Sequence, residues 1–432
     1  MNPQAEKLNQ LIREINPSVF DLLSYRGRNI FFPTKGLVKQ GLDAKGKKIN
    51  ASIGMAMEDD GSPLRLKAID NKLNLPPEET FPYASSYGKN ELRDIWKEII
   101  REKNPTLGKH PISRPVVTNA LTHGLSICGY LFVNEGDKII MPDLFWGNYK
   151  LLFENAYGGQ LEHFPLFSGQ NFNTEGLKER LNSPGMKKIV LLNFPNNPTG
   201  YTPTEIEVQE ITTIINDAAE NGKKIVLLTD DAYFGLVYEP GIYRESIFSP
   251  MANLHKNVLA VKVDGATKED YAWGFRVGFI TFSNKLMNDE MARCLEDKAA
   301  GAVRGNVSNC PHLSQSLLLT AYNSPDYKED KERKVKLLKS RYEKVKEVVL
   351  GKYINSEYFD IVPNNSGYFM CLKLKGIDAE EVRQVLLNKY DTGIMAIGDL
   401  IRVAYSSLAT DLIELLFENI QNACHDVKKG NY

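Results

Sequence analysis

An α/β fold with a mostly parallel central sheet covered by helices, joined to a smaller α+β domain, is predicted by three features of the sequence. Short, continuous apolar runs recur through the middle of the chain. Helical patterns separate them. The C-terminal part combines one long charged helical stretch with two strand-like runs.

The apolar runs are Pro115-Val-Val117, Lys138-Ile-Ile-Met141, Ile189-Val-Leu-Leu192, Ile225-Val-Leu-Leu228, Val258-Leu-Ala-Val261 and Val277-Gly-Phe-Ile280. Most lack polar alternation, as strands covered on both faces do, and they are too short for buried helices. Between the third and fourth runs, Val208, Ile211, Ile214, Ile215, Ala218 and Ala219 recur at helical spacing over 205–222. Thr204, with Glu207 three residues on, forms a capping box, and Asn221-Gly222 supplies the stop. Strand, helix and strand in that order make a βαβ unit. From 326 to 352, Val, Leu and Tyr recur among many charges, which reads as a long, partly exposed helix. Tyr368 to Leu374 and Leu400 to Ala404 read as strands bracketing another helix. The expected division is a large α/β domain over residues 61–325 and a discontinuous small domain made of 1–60 and 326–432.

Composition narrows the class. Of 432 residues, 42% are apolar and 25% charged, which suffices for a packed core and excludes a disordered chain. Lys plus Arg total 53 against 54 for Asp plus Glu, a net charge of −1. That balance argues against a protein built to grip nucleic acid. Five scattered cysteines, with no Cys-x-x-Cys, fit neither a disulfide scaffold nor a zinc ribbon, and no metal site is expected. The first residues lack the apolar core of a signal peptide, and no run is long enough to span a membrane. A cytoplasmic protein without membrane contact is expected.

Chemistry gathers where the apolar runs end. Ile189–Leu192 leads into Asn193-Phe-Pro-Asn-Asn-Pro-Thr-Gly200. Ile225–Thr229 leads into Asp230-Asp-Ala-Tyr233, and Val258–Val263 into Asp264-Gly-Ala-Thr-Lys268, with Arg276 eight residues further. In an open α/β sheet, ligands bind outside the carboxyl ends of the strands. Three strands therefore deliver an amide, a carboxylate, a phenol, an amine and a guanidinium to one edge.

These motifs, in this order, resemble those of the fold-type I, pyridoxal 5'-phosphate-dependent aminotransferases of class I/II, in particular the aspartate aminotransferase-like members. The resemblance runs from about Ile49 to Arg402. It implies a transferase of amino-acid metabolism that moves an amino group between an L-amino acid and a 2-oxo acid. It further implies a homodimer with active sites at the subunit interface. Lys268 matches the Schiff-base lysine, which binds the cofactor aldehyde and then shuttles the proton. Asp230 matches the partner of the protonated pyridine nitrogen, with Asp231 as its neighbouring competitor. Tyr233 and Asn197 match donors to the cofactor's phenolic oxygen. Arg276, the amides of Ala120 and Leu121 and the hydroxyl of Thr122 match the phosphate cradle, at a helix N-terminus suited to anions. Trp146 matches the aromatic plate on the cofactor ring, with Phe145 competing. Tyr83 matches the tyrosine that reaches the partner subunit's phosphate.

On the substrate side, Arg402 matches the clamp on the α-carboxylate, and Gly54 and Asn197 fall in substrate-facing positions. Arg304, in Arg304-Gly-Asn-Val-Ser-Asn-Cys-Pro311, resembles an arginine that crosses to the neighbouring site and binds a side-chain carboxylate. Aspartate and glutamate are the expected substrates if it does so. An aromatic or aliphatic amino acid is expected otherwise. A lyase or decarboxylase on the same scaffold is the alternative reaction. Two positions depart from the family. Gly265 stands where Ser is usual, with Thr267 a candidate to compensate. Tyr149 stands where some relatives have His behind the Asp. Residues 26–48 fit no relative well and are read as a lid over the site.

Overall fold

The computed structural model describes residues 1–32 and 36–430. Part of the stretch read as a lid, residues 33–35, lies outside the described residues. The central sheet has seven strands: β1 (Val116–Asn119), β2 (Lys138–Pro142), β3 (Gln160–Phe164), β4 (Lys187–Asn193), β5 (Lys224–Asp230), β6 (Val258–Gly265) and β7 (Val277–Ser283). Their spatial order is β1-β7-β6-β5-β4-β2-β3. Every pairing is parallel except those of β7, which runs antiparallel to both β1 and β6.

Six of these strands correspond to the six apolar runs. The seventh, β3, is one of the two edge strands and the less buried of them, and its Gln160, Glu162 and His163 gave no continuous apolar run. An edge strand is covered less and so tolerates polar residues. Between β4 and β5 lies the helix Glu205–Glu220, with Thr204 and Glu207 forming the reciprocal capping box. The long charged helix spans Tyr327–Lys352. A second, fully antiparallel sheet follows, made of β8 (Phe359–Ile361), β9 (Met370–Leu374), β10 (Met395–Ile397) and β11 (Leu400–Val403), in the order β8-β9-β11-β10. The helix Ala379–Lys389 lies between β9 and β10. One continuous apolar cluster joins the two sheets, from Ile49 through Trp96 and Phe279 to Phe417. Among the described residues, no helix is long and apolar enough to cross a membrane.

The direction of β7 matters for the site. Parallel β1, β5 and β6 end on one edge, at Asn119, Asp230 and Gly265. Because β7 is reversed, its first residues lie on that same edge, Val277 opposite Asn119 and Gly278 opposite Gly265. The backbones meet closely there. A Cβ on Gly278 would fall 2.6 Å from Ala120 C and 2.9 Å from Leu121 N, and one on Gly265 would fall 2.6 Å from Val277 O. All three are backbone atoms, which cannot swing aside. Gly265 is therefore a packing requirement of this chain. Ala120, which opens the helix Ala120–Phe132, has φ +60°, a conformation that disfavours a side chain.

Gly265→Ser is accordingly expected to destabilise the protein by about 1–3 kcal/mol. Ala120→Gly should be neutral or add up to about 1 kcal/mol. Urea denaturation midpoints check both. An unchanged midpoint for Gly265→Ser would contradict the close backbone approach.

Candidate active site

A cavity of about 400 Å³ opens at this strand edge. Its lining includes Gly54, Ala120, Leu121, Thr122, Trp146, Asn197, Asp230, Tyr233, Thr267, Lys268, Arg276 and Arg402, all of them residues singled out from sequence. Gly54 and Arg402 come from segments flanking the large sheet in sequence. The others come from the ends of its strands and the segments that connect them.

Asp230 ends β5 and is 3% exposed. Its Oδ2 accepts from the Tyr149 hydroxyl at 2.6 Å, and its Oδ1 from the Ala232 amide at 3.1 Å. Burial raises its pKa, while the Tyr149 hydroxyl and the Lys268 charge oppose that rise. Asp231, one residue on, turns elsewhere. It pairs with fully buried Lys262 and accepts from the Ser246 hydroxyl, so Asp230 alone of the two lines the cavity. Tyr149 thus occupies the position behind the carboxylate, with its phenol fully buried.

Lys268 sits in the single helical turn Ala266–Glu269, its carbonyl held by the Tyr368 hydroxyl at 3.0 Å. Its Nζ lies 5.2 Å from the centre of the Tyr233 ring. Burial lowers its pKa, Asp230 works against the change, and the Arg276 charge adds to it. Such a lysine is more often a neutral amine, hence a nucleophile or base.

Trp146 lines the cavity and meets Tyr149 edge-on, at 5.6 Å and 87°. Phe145 instead stacks on His163 at 4.8 Å, outside the cavity lining. At the other end, the helix Ala120–Phe132 begins without a side-chain cap, leaving its first amides free. Among the described residues, the buried Thr267 hydroxyl beside it has no partner, and Arg276, which is exposed, donates to the Trp273 carbonyl at 3.2 Å. These groups bring free donors and a cation to one end of the cavity, the chemistry an anion requires. Together with a buried carboxylate and an amine, they fit pyridoxal 5'-phosphate in donor type and charge.

Arg402, on β11, is 7% exposed. Its Nη2 donates to Ser52 O at 3.0 Å and its Nη1 to Asn197 Oδ1 at 3.3 Å, and Nε has no partner. Among the described residues no carboxylate pairs with it, so a buried cation is left awaiting an anion. Two residues not singled out from sequence complete this wall. Phe369 lies under the guanidinium, its ring centre 4.3 Å from Cζ, and stands edge-on to Tyr233 at 5.5 Å. Asn193 braces the floor, donating to Asp230 O at 2.8 Å and accepting from the Asn197 amide at 2.9 Å. Asn193 was legible as the first residue of the motif ending β4. Phe369 carried no local signal, because its role depends on contact with Arg402 across the fold.

Tyr83 and Arg304 lie outside the cavity of their own chain. Tyr83 is 89% exposed. Arg304 is exposed and donates to Ser308 Oγ at 2.9 Å. Among the described residues no group of His, Cys, Asp and Glu is arranged to hold a metal ion.

Comparison with known proteins agrees with this geometry. The model of the family described as "Aminotransferase class I and II" matches residues 48–420. An aspartate aminotransferase of Bacillus sp. (strain YM-2) is 24% identical over 398 residues, covering 89% of this chain and 93% of the relative. That of Sulfurisphaera tokodaii is 26% identical over 274 residues, 62% of each chain. Among solved structures, an aminotransferase from Anaerococcus prevotii superimposes with a TM-score of 0.81 at 23% identity, covering 94% of this chain and 99% of that one. A mitochondrial aspartate aminotransferase from Trypanosoma brucei gives 0.73 at 22%, covering 89% and 99%. Matched by that family model over most of its length, and folded as those neighbours are, the chain belongs to the class I and II aminotransferases, enzymes that depend on pyridoxal 5'-phosphate.

Proposed function

We propose that the protein is a homodimeric, cytoplasmic aminotransferase acting on a dicarboxylic amino acid, aspartate or glutamate, with a 2-oxo acid as acceptor. The observation that carries this reading is the convergence of Lys268, Asp230 and Arg402 on one cavity. Lys268 would hold the cofactor, with Asp230 at the ring nitrogen, Asn197 and Tyr233 at the phenolic oxygen and Trp146 against the ring. Ala120, Leu121, Thr122, Thr267 and Arg276 would hold the phosphate. When bound, the cofactor supplies an aldehyde carbon for the amino group and a ring that takes up the electrons freed when the substrate Cα–H bond breaks.

The chain's own residues do the rest. Arg402 takes the α-carboxylate in a two-pronged contact, which orients the Cα–H bond toward the amine. Its hold on Asn197 and Ser52 and its stack on Phe369 fix the fork before substrate arrives. The Lys268 amine, with its lowered pKa, removes the Cα proton and carries it. Tyr149 keeps a donor on Asp230, favouring the ionised carboxylate that stabilises a protonated ring nitrogen. Trp146 and Phe369 exclude water from the reacting atoms.

Support for the dimer comes from the exposed face that carries Tyr83 and Arg304. The two segments are joined there by Ser86 Oγ donating to Ser308 O at 2.9 Å and by His312 Nδ1 lying 2.7 Å from Pro82 O. Phe81, 82% exposed, adds apolar surface to it. A partner subunit on this face would receive both side chains. Substrate choice is supported by the relatives named as aspartate aminotransferases. Five unpaired cysteines support a reducing, cytoplasmic setting.

The deciding assay mixes the protein with pyridoxal 5'-phosphate, aspartate and 2-oxoglutarate. Oxaloacetate and glutamate are expected. Ammonia or carbon dioxide released without glutamate would mean a lyase or decarboxylase. Lys268→Ala should lose the visible absorbance of covalently held cofactor, and persistence of that band would assign the role to another lysine. In wild-type protein stripped of cofactor, the capture rate should rise with pH as the amine deprotonates, and level off below the ordinary lysine pKa of 10.5. Arg402→Ala should raise KM for every amino acid by about 10²–10³-fold, the worth of a buried charge contact. Arg304→Ala should lower kcat/KM for aspartate and glutamate about 100-fold while sparing alanine; an equal loss for all three would remove the dicarboxylic assignment.

A further inference from the structure

Directly after Lys268 the chain carries two acids and buries both. Glu269 is 3% exposed and Asp270 0%. Neither lines the cavity. Adjacent carboxylates withdrawn from water need cations and donors around them. Three other helices supply these. Lys331, near the start of Tyr327–Lys352, lies 3.0 Å from Glu269 Oε2 and 2.9 Å from Asp270 Oδ1. Lys103, which ends the helix Asn90–Lys103, pairs with Glu269 as well. Tyr327 and Tyr322 donate to the two oxygens of Asp270 at 2.7 and 2.8 Å. Burial opposes ionisation of Glu269, but Lys103 and Lys331 outweigh it and hold the carboxyl at about 2.

The turn bearing Lys268 is therefore pinned at consecutive residues. Tyr368 holds the Lys268 carbonyl, and the ion cluster holds the next two side chains. Shifting this backbone means breaking buried ion pairs. The long helix extends the connection. Ten residues past Lys331, about 15 Å along the axis, Arg341 donates to the carbonyls of Met57 and Ser406, each at 2.7 Å. Met57 follows the loop of Gly54, and Ser406 follows the strand of Arg402. One continuous helix thus touches the backbone behind the amine and the surroundings of the carboxylate clamp.

We propose that Lys331 is a positioning residue: through Glu269 and Asp270 it fixes where the Lys268 amine stands, and through its helix it ties that position to the part of the site carrying Arg402. This rests on the reading of Lys268 as the cofactor-binding amine.

The test compares Lys331→Met, Lys331→Arg, Tyr327→Phe and, as control, Lys336→Met, an exposed site on the same helix. Covalent capture of pyridoxal 5'-phosphate by cofactor-free protein is followed by visible absorbance, and kcat and KM are measured separately on loaded enzyme. Lys331→Met is expected to slow capture and lower kcat by about tenfold or more, with KM for the amino acid changed by less than about threefold. Lys331→Arg should recover both to within about threefold of wild type, and Tyr327→Phe should slow capture by about two- to fivefold. Lys336→Met should change neither. Wild-type capture and kcat in Lys331→Met would overturn the proposal, as would equal losses in Lys331→Arg and Lys331→Met. Should Lys331→Met fail to fold, Tyr327→Phe decides, and a wild-type capture rate in that variant overturns it. A wild-type protein that captures no cofactor would instead overturn the reading of Lys268, so the two failures are told apart.

Discussion

A carboxylate carried to the end of a buried strand, as Asp230 is, leaves water at a cost that only hydrogen bonds and opposite charge offset. The site is assembled around that requirement. Tyr149 and the Ala232 amide bond its two oxygens, Asn193 braces its carbonyl, and Lys268 supplies the nearby positive charge. What remains is a raised pKa and an opening toward the cavity, which a cationic ring nitrogen would satisfy. The same logic governs Arg402, a buried cation with neutral partners and an unsatisfied Nε. Two opposite charges thus stand at separate parts of one cavity, Asp230 near the Lys268 amine and Arg402 without a carboxylate among the described residues.

The adjacent acids at the end of β5 divide their labour by direction. Consecutive side chains along extended chain point to opposite sides. Asp230 faces the cavity, while Asp231 joins Lys262 outside its lining. Asp264 lies 3.4 Å from Lys262 and accepts from the Trp96 indole at 3.0 Å, and burial lifts its pKa to about 6 despite the lysine. The buried surroundings of Asp231 are therefore ionic and densely bonded, apart from the cavity lining.

Much of this was legible in sequence. Continuous apolar runs mark strands covered on both faces, and the residues just beyond them necessarily share an edge. Asn197, Asp230, Tyr233, Lys268 and Arg276 could be found on that ground before any contact was known. The strand β3 escaped because an edge strand need not be apolar. Phe369 escaped because stacking under Arg402 is a relation between distant segments. Gly265 reads in sequence as a departure from the Ser usual at that position of the resembled family, with Thr267 to compensate. The structure gives a different physical reason, since a side chain there would strike the Val277 carbonyl. Trp146 was preferred to its aromatic neighbour Phe145 by resemblance, and of the two it is Trp146 that lines the cavity while Phe145 stacks on His163.

The reversal of β7 has a consequence for how the cavity keeps its dimensions. Lys268 leaves the end of β6 and Arg276 enters the start of β7, so both stand at the tips of neighbouring, directly paired strands. The intervening residues form a closed excursion whose two feet are welded to the sheet. That excursion works as a gauge block: the paired strands fix the distance between its feet, and its residue count fixes how far it reaches out from them. The wall around Arg402 stands on separate elements, so lengthening or trimming this one loop would move the amine and the guanidinium relative to each other while leaving that wall in place.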